Sequence, residues 1–452
     1  MANILLDFSK KIGAIKPMNA GNNGPKIPRG DQTSGNFDTF KMLGIPYARV
    51  HDANFSLEYG GPFTVDFWAI FPNWNADPDD PKSYDFLMTD VYLQSIEKAG
   101  TEPFFRLGGM IEHGPKKHFT RVPPDFRKFA VVCEHIVRHC TGDWANGLNM
   151  KITYWEIWNE PDLDGDDSPN KRNWQGTAEQ FYEMFVVAYK HLKAAFPHLK
   201  FGGPAACAAI NNGRGDHWTD RFFAALEKNC VALDFYSWHC YTCEPSVIAD
   251  TCRTVRDYLD SHGQKQAESV LNEWNYVKGW SDAWVYSLEQ EGGMKGAAFA
   301  LSTMLACQKQ PLDMLMYYDM RVSCGMNGLW DPITFDRRKS WYSYFMFEKL
   351  ASLGTEVESS TDEPKQIFVL GATSAKGSRV AAIVSCFKDD DNFSVHKPSI
   401  RILGLTAVQK ENLSVRLLDA KLDCVEVPFD FDGETMTFPF NVDHNAGLLI
   451  QA

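Results

Sequence analysis

Two short motifs place a glutamate at the end of an apolar run. In the first, Trp-Asn-Glu-Pro at 158–161, Glu160 follows the apolar segment 152–158. In the second, Asn-Glu-Trp-Asn at 272–275, Glu273 follows another apolar segment. Such runs, bounded by polar and turn residues, predict β-strands, and the proline after Glu160 prevents further strand pairing. Each glutamate is therefore predicted to lie at the C-terminal end of a strand.

A pair of carboxyl groups that face one cleft can combine acid catalysis with nucleophilic attack. Two like charges resist simultaneous ionisation, so one group stays protonated while the other is ionised. Hydrolysis of a glycosidic bond requires this division, because one carboxyl protonates the leaving oxygen and the other attacks or activates water. A lone glutamate at a strand end is more often a solvated or ion-paired residue, but the second one favours the catalytic interpretation. Glu156 lies within its predicted strand, and we give it no such role.

The segments between residues 12 and 353 alternate in a way that predicts eight strand–helix units. Helical periodicity is clear at 126–140 and 181–192, where apolar residues recur every three or four positions. Eight units predict an α/β fold, a (β/α)8 TIM barrel, whereas the competing doubly wound sheet requires a Gly-x-Gly-x-x-Gly turn that follows no strand here. This order puts Glu160 on barrel strand four and Glu273 on barrel strand seven. The predicted strands lie near 13–15 and at 46–50, 103–107, 152–158, 200–203, 233–238, 269–271 and 314–318.

The C-terminal region, residues 354–452, has a different pattern. Strand-like runs recur with turn residues between them and no clear helix, which predicts an all-β sandwich domain. A strand-like N-terminal segment within 1–11 is expected to join this sandwich. All 13 tryptophans lie at or before Trp341, so the domain lacks the tryptophan platform of many carbohydrate-binding modules, and a structural role is predicted for it.

Composition and charge exclude several classes of protein. With 45 Lys and Arg against 58 Asp and Glu, the formal charge is −13, so nucleic acid is not an expected partner. The uncharged run 296–308 is shorter than the roughly 20 residues of a bilayer span, which predicts a core helix and no membrane association. The scattered cysteines, 11 in all, and the lack of a basic, apolar leader favour a reducing cytoplasm. A secreted or periplasmic location is the alternative if a leader has been removed. A homo-oligomer is compatible with these features.

A Cys-x-x-Cys motif at 240–243 suggests metal binding or redox chemistry as an alternative. A structural zinc site usually needs a second, similarly spaced pair, and the sequence has none. A thioredoxin-type motif would belong to a different fold. We therefore predict no metal and no cofactor, and interpret Cys240 and Cys243 as incidental thiols.

The two glutamate motifs resemble those of clan A glycoside hydrolases. Within the clan the chain most resembles glycoside hydrolase family 39, which comprises β-xylosidases and α-L-iduronidases. The resemblance implies a retaining, exo-acting enzyme of the β-xylosidase type, with Glu160 as general acid/base and Glu273 as nucleophile. Its substrate would be an oligosaccharide or glycoside. The supporting stretches lie at 47–51, 84–86, 103–108, 201–205 and 237–241.

The resemblance also implies roles for other side chains. Asn159 would bind the sugar 2-hydroxyl, and His239 and Tyr241 would lie beside the nucleophile and keep it ionised. His51, at the end of barrel strand two, is predicted to contact a sugar hydroxyl. Trp330, after barrel strand eight, is predicted either to stack on a sugar face or to be a core residue.

The sequence is also compatible with other functions. The segment 105–109 lacks the acidic residue that the xylosidases carry, and 316–320 lacks their tryptophan-rich pattern, so the sugar is undetermined. Among enzymes with the same fold, the alternatives to a β-xylosidase are an α-L-arabinofuranosidase, a β-glucosidase or β-galactosidase, and an endo-glycanase. The alternative from another class is a catalytically silent carbohydrate-binding barrel, against which the presence of both glutamates argues.

Overall fold

The computed structural model describes residues 2–26, 35–51, 64–211, 213–390, 392, 394–395, 397–443 and 445–452. Strand β1 (Asn3–Ala14) is first in chain order and belongs to a sheet formed mainly by the C-terminal region. Eight parallel strands then close into a barrel, in which neighbours pair in chain order and the last strand pairs with the first. These strands are β2 (Ala20–Asn22), β3 (Tyr47–Val50), β4 (Glu102–Leu107), β5 (Tyr154–Ile157), β6 (Lys200–Ala206), β7 (Phe235–Thr242), β8 (Glu268–Tyr276) and β9 (Met314–Tyr317).

Helices connect the barrel strands, and their local sequence explains them. The α5 helix begins with a capping box, in which Thr177 accepts from the Gln180 N–H and the Gln180 side chain accepts from the Thr177 N–H. The α9 helix, which contains the predicted core run, is buried along nearly its whole length. The described helices are α1 (Phe37–Lys41), α2 (Phe67–Ile70), α3 (Leu87–Lys98), α4 (Phe126–Thr141), α5 (Ala178–Ala195), α6 (Trp218–Lys228), α7 (Pro245–Ser261), α8 (Trp284–Glu291), α9 (Met294–Gln308), α10 (Lys339–Ala351) and α11 (Ala407–Glu411), with a 3-10 turn at Pro81–Ser83.

The predicted (β/α)8 barrel is confirmed, but its first strand is not where the sequence placed it. Residues 13 and 14 belong to β1 of the other sheet, and the first barrel strand is β2, at Ala20–Asn22. The segment 20–22 reads Ala-Gly-Asn and has no apolar run that periodicity could detect. The error therefore arises because β2 is short and is defined by pairing with β3 and β9 rather than by its own composition.

The C-terminal region is β-rich, as predicted, although it also contains the short helix α11. Ten strands make one curled, mostly antiparallel sheet with the order β16-β15-β20-β12-β11-β10-β1-β14-β18-β17, and β13 pairs with β19. These strands are β10 (Thr355–Thr361), β11 (Ile367–Thr373), β12 (Val380–Cys386), β13 (Ser394–Val395), β14 (Ser399–Leu403), β15 (Ser414–Leu418), β16 (Asp423–Glu426), β17 (Asp430–Phe431), β18 (Thr435–Thr437), β19 (Val442–Asp443) and β20 (Ala446–Gln451).

The N-terminal strand β1 crosses to this sheet. It pairs antiparallel with β10 and parallel with β14, so it bridges two strands that are distant in sequence. The short helix α11, which the sequence did not predict, has a Thr406–Gln409 capping box of its own. The division of the chain at 1–11, 12–353 and 354–452 stays a prediction.

Two layers of side chains from the barrel strands position the site. A small apolar cluster, separate from the main core, comes from six of these strands and includes Phe104, Tyr154, Phe235 and Met316. Polar residues nearer the C-terminal ends of the strands, among them Arg49 and Glu156, are also fully buried. Buried charges of this kind must be paired, and their partners are the candidate site.

Among the described helices, none has both the length and the apolar character needed to cross a bilayer.

Candidate active site

Glu160 is held just beyond the end of β5 by an uncommon backbone conformation. Trp158 and Glu160 have positive φ angles, +74° and +44°, in the left-handed region that residues with a side chain rarely adopt. The Glu160 N–H donates to the carbonyl oxygen of Ala205 on β6 at 2.9 Å. A backbone in this region is strained. Strained residues persist only where the surrounding structure holds them, and they are concentrated at functional sites.

The Glu160 carboxyl contacts a histidine and an asparagine. Its Oε1 lies 2.8 Å from Nδ1 of His239, and its Oε2 accepts from Nδ2 of Asn173 at 3.0 Å. The main chain of Asn173 is held in turn, because its backbone carbonyl oxygen accepts a hydrogen bond from the Trp158 indole N–H at 2.7 Å. The Glu160 side chain keeps 14% of its surface open, which leaves it accessible to a substrate. Asn173 lies in a loop, and no motif in the sequence pointed to it.

Glu273, on β8, is surrounded by donors. Its Oε1 accepts from Nη1 of Arg49 at 2.7 Å and lies 3.3 Å from Nε2 of His51. Its Oε2 accepts from the Tyr241 hydroxyl at 2.7 Å. Burial by itself would raise the pKa of this carboxyl, but the charges of His239, His51 and Arg49, with the Tyr241 hydrogen bond, lower that pKa to about 2. Glu273 is therefore ionised throughout the pH range in which proteins are assayed.

One imidazole contacts both carboxyls. Nδ1 of His239 lies 2.8 Å from Glu160 and 3.4 Å from Oε2 of Glu273. Burial would lower the pKa of His239, but the charges of the two carboxylates, Glu273 first, raise it. The sequence predicted His239 beside the nucleophile, and the structure places it nearer to Glu160, between the two groups. A ring nitrogen in this position can share a proton with either carboxyl.

The two glutamates are close enough to act on one atom. One oxygen of Glu160, one oxygen of Glu273 and one nitrogen of His239 all lie within 4.8 Å of one another. Retaining glycosidases have carboxyl groups about 5–5.5 Å apart, whereas inverting ones need about 6.5–9.5 Å to admit a water. A distance of at most 4.8 Å between one oxygen of each carboxyl is compatible with the retaining arrangement.

The same three residues are the only group with the spacing of metal ligands in the part of the chain that the structure describes. Cys240 and Cys243, the alternative raised by the sequence, are free thiols and do not belong to this group. The Cys-x-x-Cys motif therefore brings together no ligand set among the described residues.

Arg49 organises the polar layer beneath the two glutamates. Besides Glu273, its guanidinium donates to Oε2 of Glu156 at 2.7 Å and to Oδ1 of Asn159 at 2.6 Å. Glu156 also accepts from Nδ2 of Asn272 at 2.5 Å. Glu156 is therefore a buried partner that balances the charge of Arg49, in agreement with its place inside the strand. The importance of Arg49 was not apparent from the sequence, since its partners lie on β5 and β8.

Trp330 does not have an open face. It is fully buried, its ring stacks on Phe40 with centroids 6.1 Å apart, and its indole N–H donates to Thr39 at 2.9 Å. A tryptophan that binds a sugar must present one face to the cleft. The structure thus corrects the predicted stacking role in favour of the core alternative, because helix α1 covers the ring.

Asp162, two residues after Glu160, is a buried carboxyl within reach of the site. Its Oδ1 accepts from the Cys207 N–H at 2.8 Å, and its Oδ2 accepts from the Cys207 thiol at 3.2 Å. Burial and, to a smaller extent, the charge of Glu160 raise the pKa of Asp162 to about 6, although the hydrogen bonds from Cys207 act in the opposite direction. The carboxyl is therefore easier to protonate in the folded protein than in the unfolded chain.

Asp162→Asn is expected to make the free energy of unfolding less dependent on pH between about pH 4 and pH 7. Because the folded pKa lies above the unfolded value of about 3.9, the stabilisation from this group is present below pH 4 and is lost as the pH rises through 6. Relative to wild type, the variant should gain on the order of 2–3 kcal/mol over that interval. Urea unfolding at several pH values measures the difference. Asp167→Asn, an exposed carboxyl in the same loop, is the control, and an unchanged pH dependence in Asp162→Asn would contradict the prediction.

A parallel eight-stranded barrel with one glutamate just after its fourth strand and another in the C-terminal half of its seventh has the architecture of a glycoside hydrolase. The model of glycosyl hydrolases family 39 matches residues 63–290, about half of the chain. The chain belongs to this family, which confirms the resemblance found in the sequence.

Two curated relatives are similar to parts of the chain. The β-xylosidase of Caldicellulosiruptor saccharolyticus is 23% identical over 304 residues, which cover 64% of this chain and 57% of that protein. The β-xylosidase of Geobacillus stearothermophilus is 25% identical over 220 residues, which cover 46% of this chain and 40% of that protein. The chain thus spans about half the length of the curated relatives it matches.

Solved structures share the fold over the whole chain. A glucosidase from Croceicoccus marinus superposes with a TM-score of 0.81 at 18% identity and covers 100% of this chain and 98% of its own. A monomeric β-xylosidase from Caulobacter crescentus has a TM-score of 0.69 at 17% identity, with coverage of 100% and 99%. At these identities the likeness concerns the fold.

Proposed function

We propose that the protein is a retaining, exo-acting glycoside hydrolase of the β-xylosidase type. The observation that carries the proposal is the pair Glu160 and Glu273, with carboxyl oxygens within 4.8 Å and one histidine between them. Glu273 is ionised, as the nucleophile of double displacement must be, and Glu160 is partly open to solvent, where it can reach the leaving group and water.

In the first step, Glu273 attacks the anomeric carbon. A bond forms between its carboxylate oxygen and that carbon, the bond to the leaving oxygen breaks, and Glu160 donates its proton to the leaving group. The low pKa of Glu273, about 2, keeps the attacking oxygen unprotonated. Asn159, whose Oδ1 is bound to Arg49, is oriented so that its Nδ2 is the donor available to the sugar 2-hydroxyl.

In the second step, water releases the sugar from Glu273. Glu160, now ionised, accepts a proton from the water as its oxygen attacks the anomeric carbon, and the ester bond to Glu273 breaks. Both carboxyls then return to their initial protonation states. His239, in contact with both carboxyls, is suited to stabilise the changing charge of Glu160 between the two steps.

Xylose is the proposed sugar because the two curated relatives described above are named β-xylosidases. The structure with a TM-score of 0.81 is named a glucosidase, so β-glucosides are the first alternative in a substrate screen. We also propose a cytoplasmic location, which the free state of all 11 cysteines supports.

The first product of the reaction is expected to keep the anomeric configuration of the substrate. Proton NMR of a nitrophenyl β-xyloside digest, recorded before mutarotation, should show the β-anomer first. Appearance of the α-anomer first would exclude the covalent intermediate and with it the nucleophilic role of Glu273.

A panel of nitrophenyl glycosides tests the sugar separately. It should include the β-glucoside, β-galactoside and α-L-arabinofuranoside, and the β-xyloside is expected to have the highest kcat/KM. Activity unchanged by a chelator is expected as well, since neither step uses a metal. Lack of turnover on the whole panel would favour a carbohydrate-binding barrel without catalytic activity.

A further inference from the structure

Trp280 lies in the segment that follows the nucleophile strand, between β8 and α8. Its side chain is 60% exposed, and it is the only tryptophan among the exposed large apolar residues of the described chain. Tryptophan is the largest apolar side chain, so leaving most of its ring in water forgoes stabilisation that burial would provide. An exposed tryptophan close to an active site is therefore a candidate binding surface.

The ring of Trp280 is one side chain away from the nucleophile. Its centroid lies 5.1 Å from that of Tyr241, with the planes at 77°, and the Tyr241 hydroxyl donates to Glu273 at 2.7 Å. Trp284, on the first turn of α8, stacks on Trp280 with centroids 5.2 Å apart and planes at 22°. Trp280 is thus held by aromatic contacts with two rings while more than half of its surface stays open.

The position of Trp280 relative to the buried groups indicates which part of a substrate it meets. The anomeric carbon must lie against Glu273, where His51, Asn159 and His239 are each at most 2% exposed. On the proposed function, the sugar whose bond is cleaved therefore binds against this buried group of side chains. Trp280 lies outside this group, beyond Tyr241, and in an exo-acting enzyme the part of the substrate that projects from the enclosed site is the leaving group.

We propose that Trp280, supported by Trp284, forms a binding site for the leaving group, the aglycone of the substrate. This inference rests on the proposed exo-glycosidase function. The ligand is a ring with a flat apolar face, which is either the C–H face of a second pyranose or an aromatic aglycone. Both stack on an indole, and the choice of substrates distinguishes the two sources.

The test compares Trp280→Ala with wild type on three substrates that share one sugar, namely β-xylosyl fluoride, p-nitrophenyl β-xyloside and xylobiose. For the last two, kcat/KM should fall by about 2- to 12-fold, the size typical of one aromatic contact. For the fluoride it should be unchanged, because fluoride has no face to stack. A loss on xylobiose alone identifies a sugar as the ligand, and a loss on the nitrophenyl substrate alone identifies an aromatic group.

Two further variants make the result decisive. Trp280→Phe keeps a ring and should recover most of the lost kcat/KM, whereas Val408→Ala, at an exposed apolar position on α11, should behave as wild type on all three substrates. An equal loss on the fluoride, or no loss on any substrate, would overturn the proposal while the glycosidase assignment stands. If wild type cleaves none of the three, nor the other glycosides of the panel, the proposed function fails and this inference fails with it.

Discussion

Glu273→Ala is expected to lower kcat/KM by about 10⁴- to 10⁶-fold, the range spanned when single members of a catalytic triad are removed, on every glycoside that the wild-type protein cleaves. The variant loses the oxygen that forms the bond to the anomeric carbon. It also removes the carboxylate to which the Tyr241 hydroxyl donates and one of the two carboxylates that pair with Arg49, which keeps Glu156. Steady-state kinetics on dinitrophenyl and nitrophenyl β-xylosides measures the loss.

Two comparisons separate a chemical role of Glu273 from a structural one. Glu273→Gln keeps an oxygen and the shape of the side chain but cannot attack, so it should be as inactive as Glu273→Ala. Glu268→Gln, at the opposite end of β8, should retain activity. Azide added to Glu273→Ala should react with an activated substrate to form the α-glycosyl azide, because the attack then occurs on the face that Glu273 occupied. Wild-type activity in Glu273→Gln would contradict the assignment.

Glu160→Ala is expected to lower kcat/KM by an amount that depends on the leaving group. Proton donation in the transition state contributes about 10²- to 10⁴-fold, so a loss of this size is expected for xylobiose, whose leaving oxygen is basic. A dinitrophenyl leaving group departs without a proton, and its glycosylation step should be almost unaffected. Measuring kcat/KM for both substrates in the same preparation gives the ratio directly.

The second step gives an independent readout of Glu160. Without a base, hydrolysis of the glycosyl-enzyme should become rate-limiting, and azide, which needs no base, should accelerate turnover and form the β-glycosyl azide. Asp167→Ala, an exposed carboxyl in the same loop, should show neither effect. Equal losses on xylobiose and the dinitrophenyl substrate would contradict the acid/base role, because an acid distinguishes leaving groups by their basicity.

Local sequence predicted much of the architecture and the position of the two glutamates. Strand–helix alternation is a short-range property, and the carboxyl ends of parallel strands meet at one rim of a barrel. Counting strands was therefore enough to bring Glu160 and Glu273 to the same cleft. Strand β2 has no such local signal, because its three residues lack an apolar run and form a strand only by pairing with β3 and β9.

By itself, the sequence determined the barrel, the β-rich C-terminal region and the two carboxyls. The tertiary structure alone decided which side chains contact those carboxyls and which aromatic rings remain exposed to solvent. Arg49 contacts Glu273 and Glu156, residues far away in the chain, so no local pattern could identify it. Trp330 and Trp280 both follow barrel strands, yet one is 0% and the other 60% exposed. Burial depends on how all elements pack around a residue, and that is a property of the complete fold.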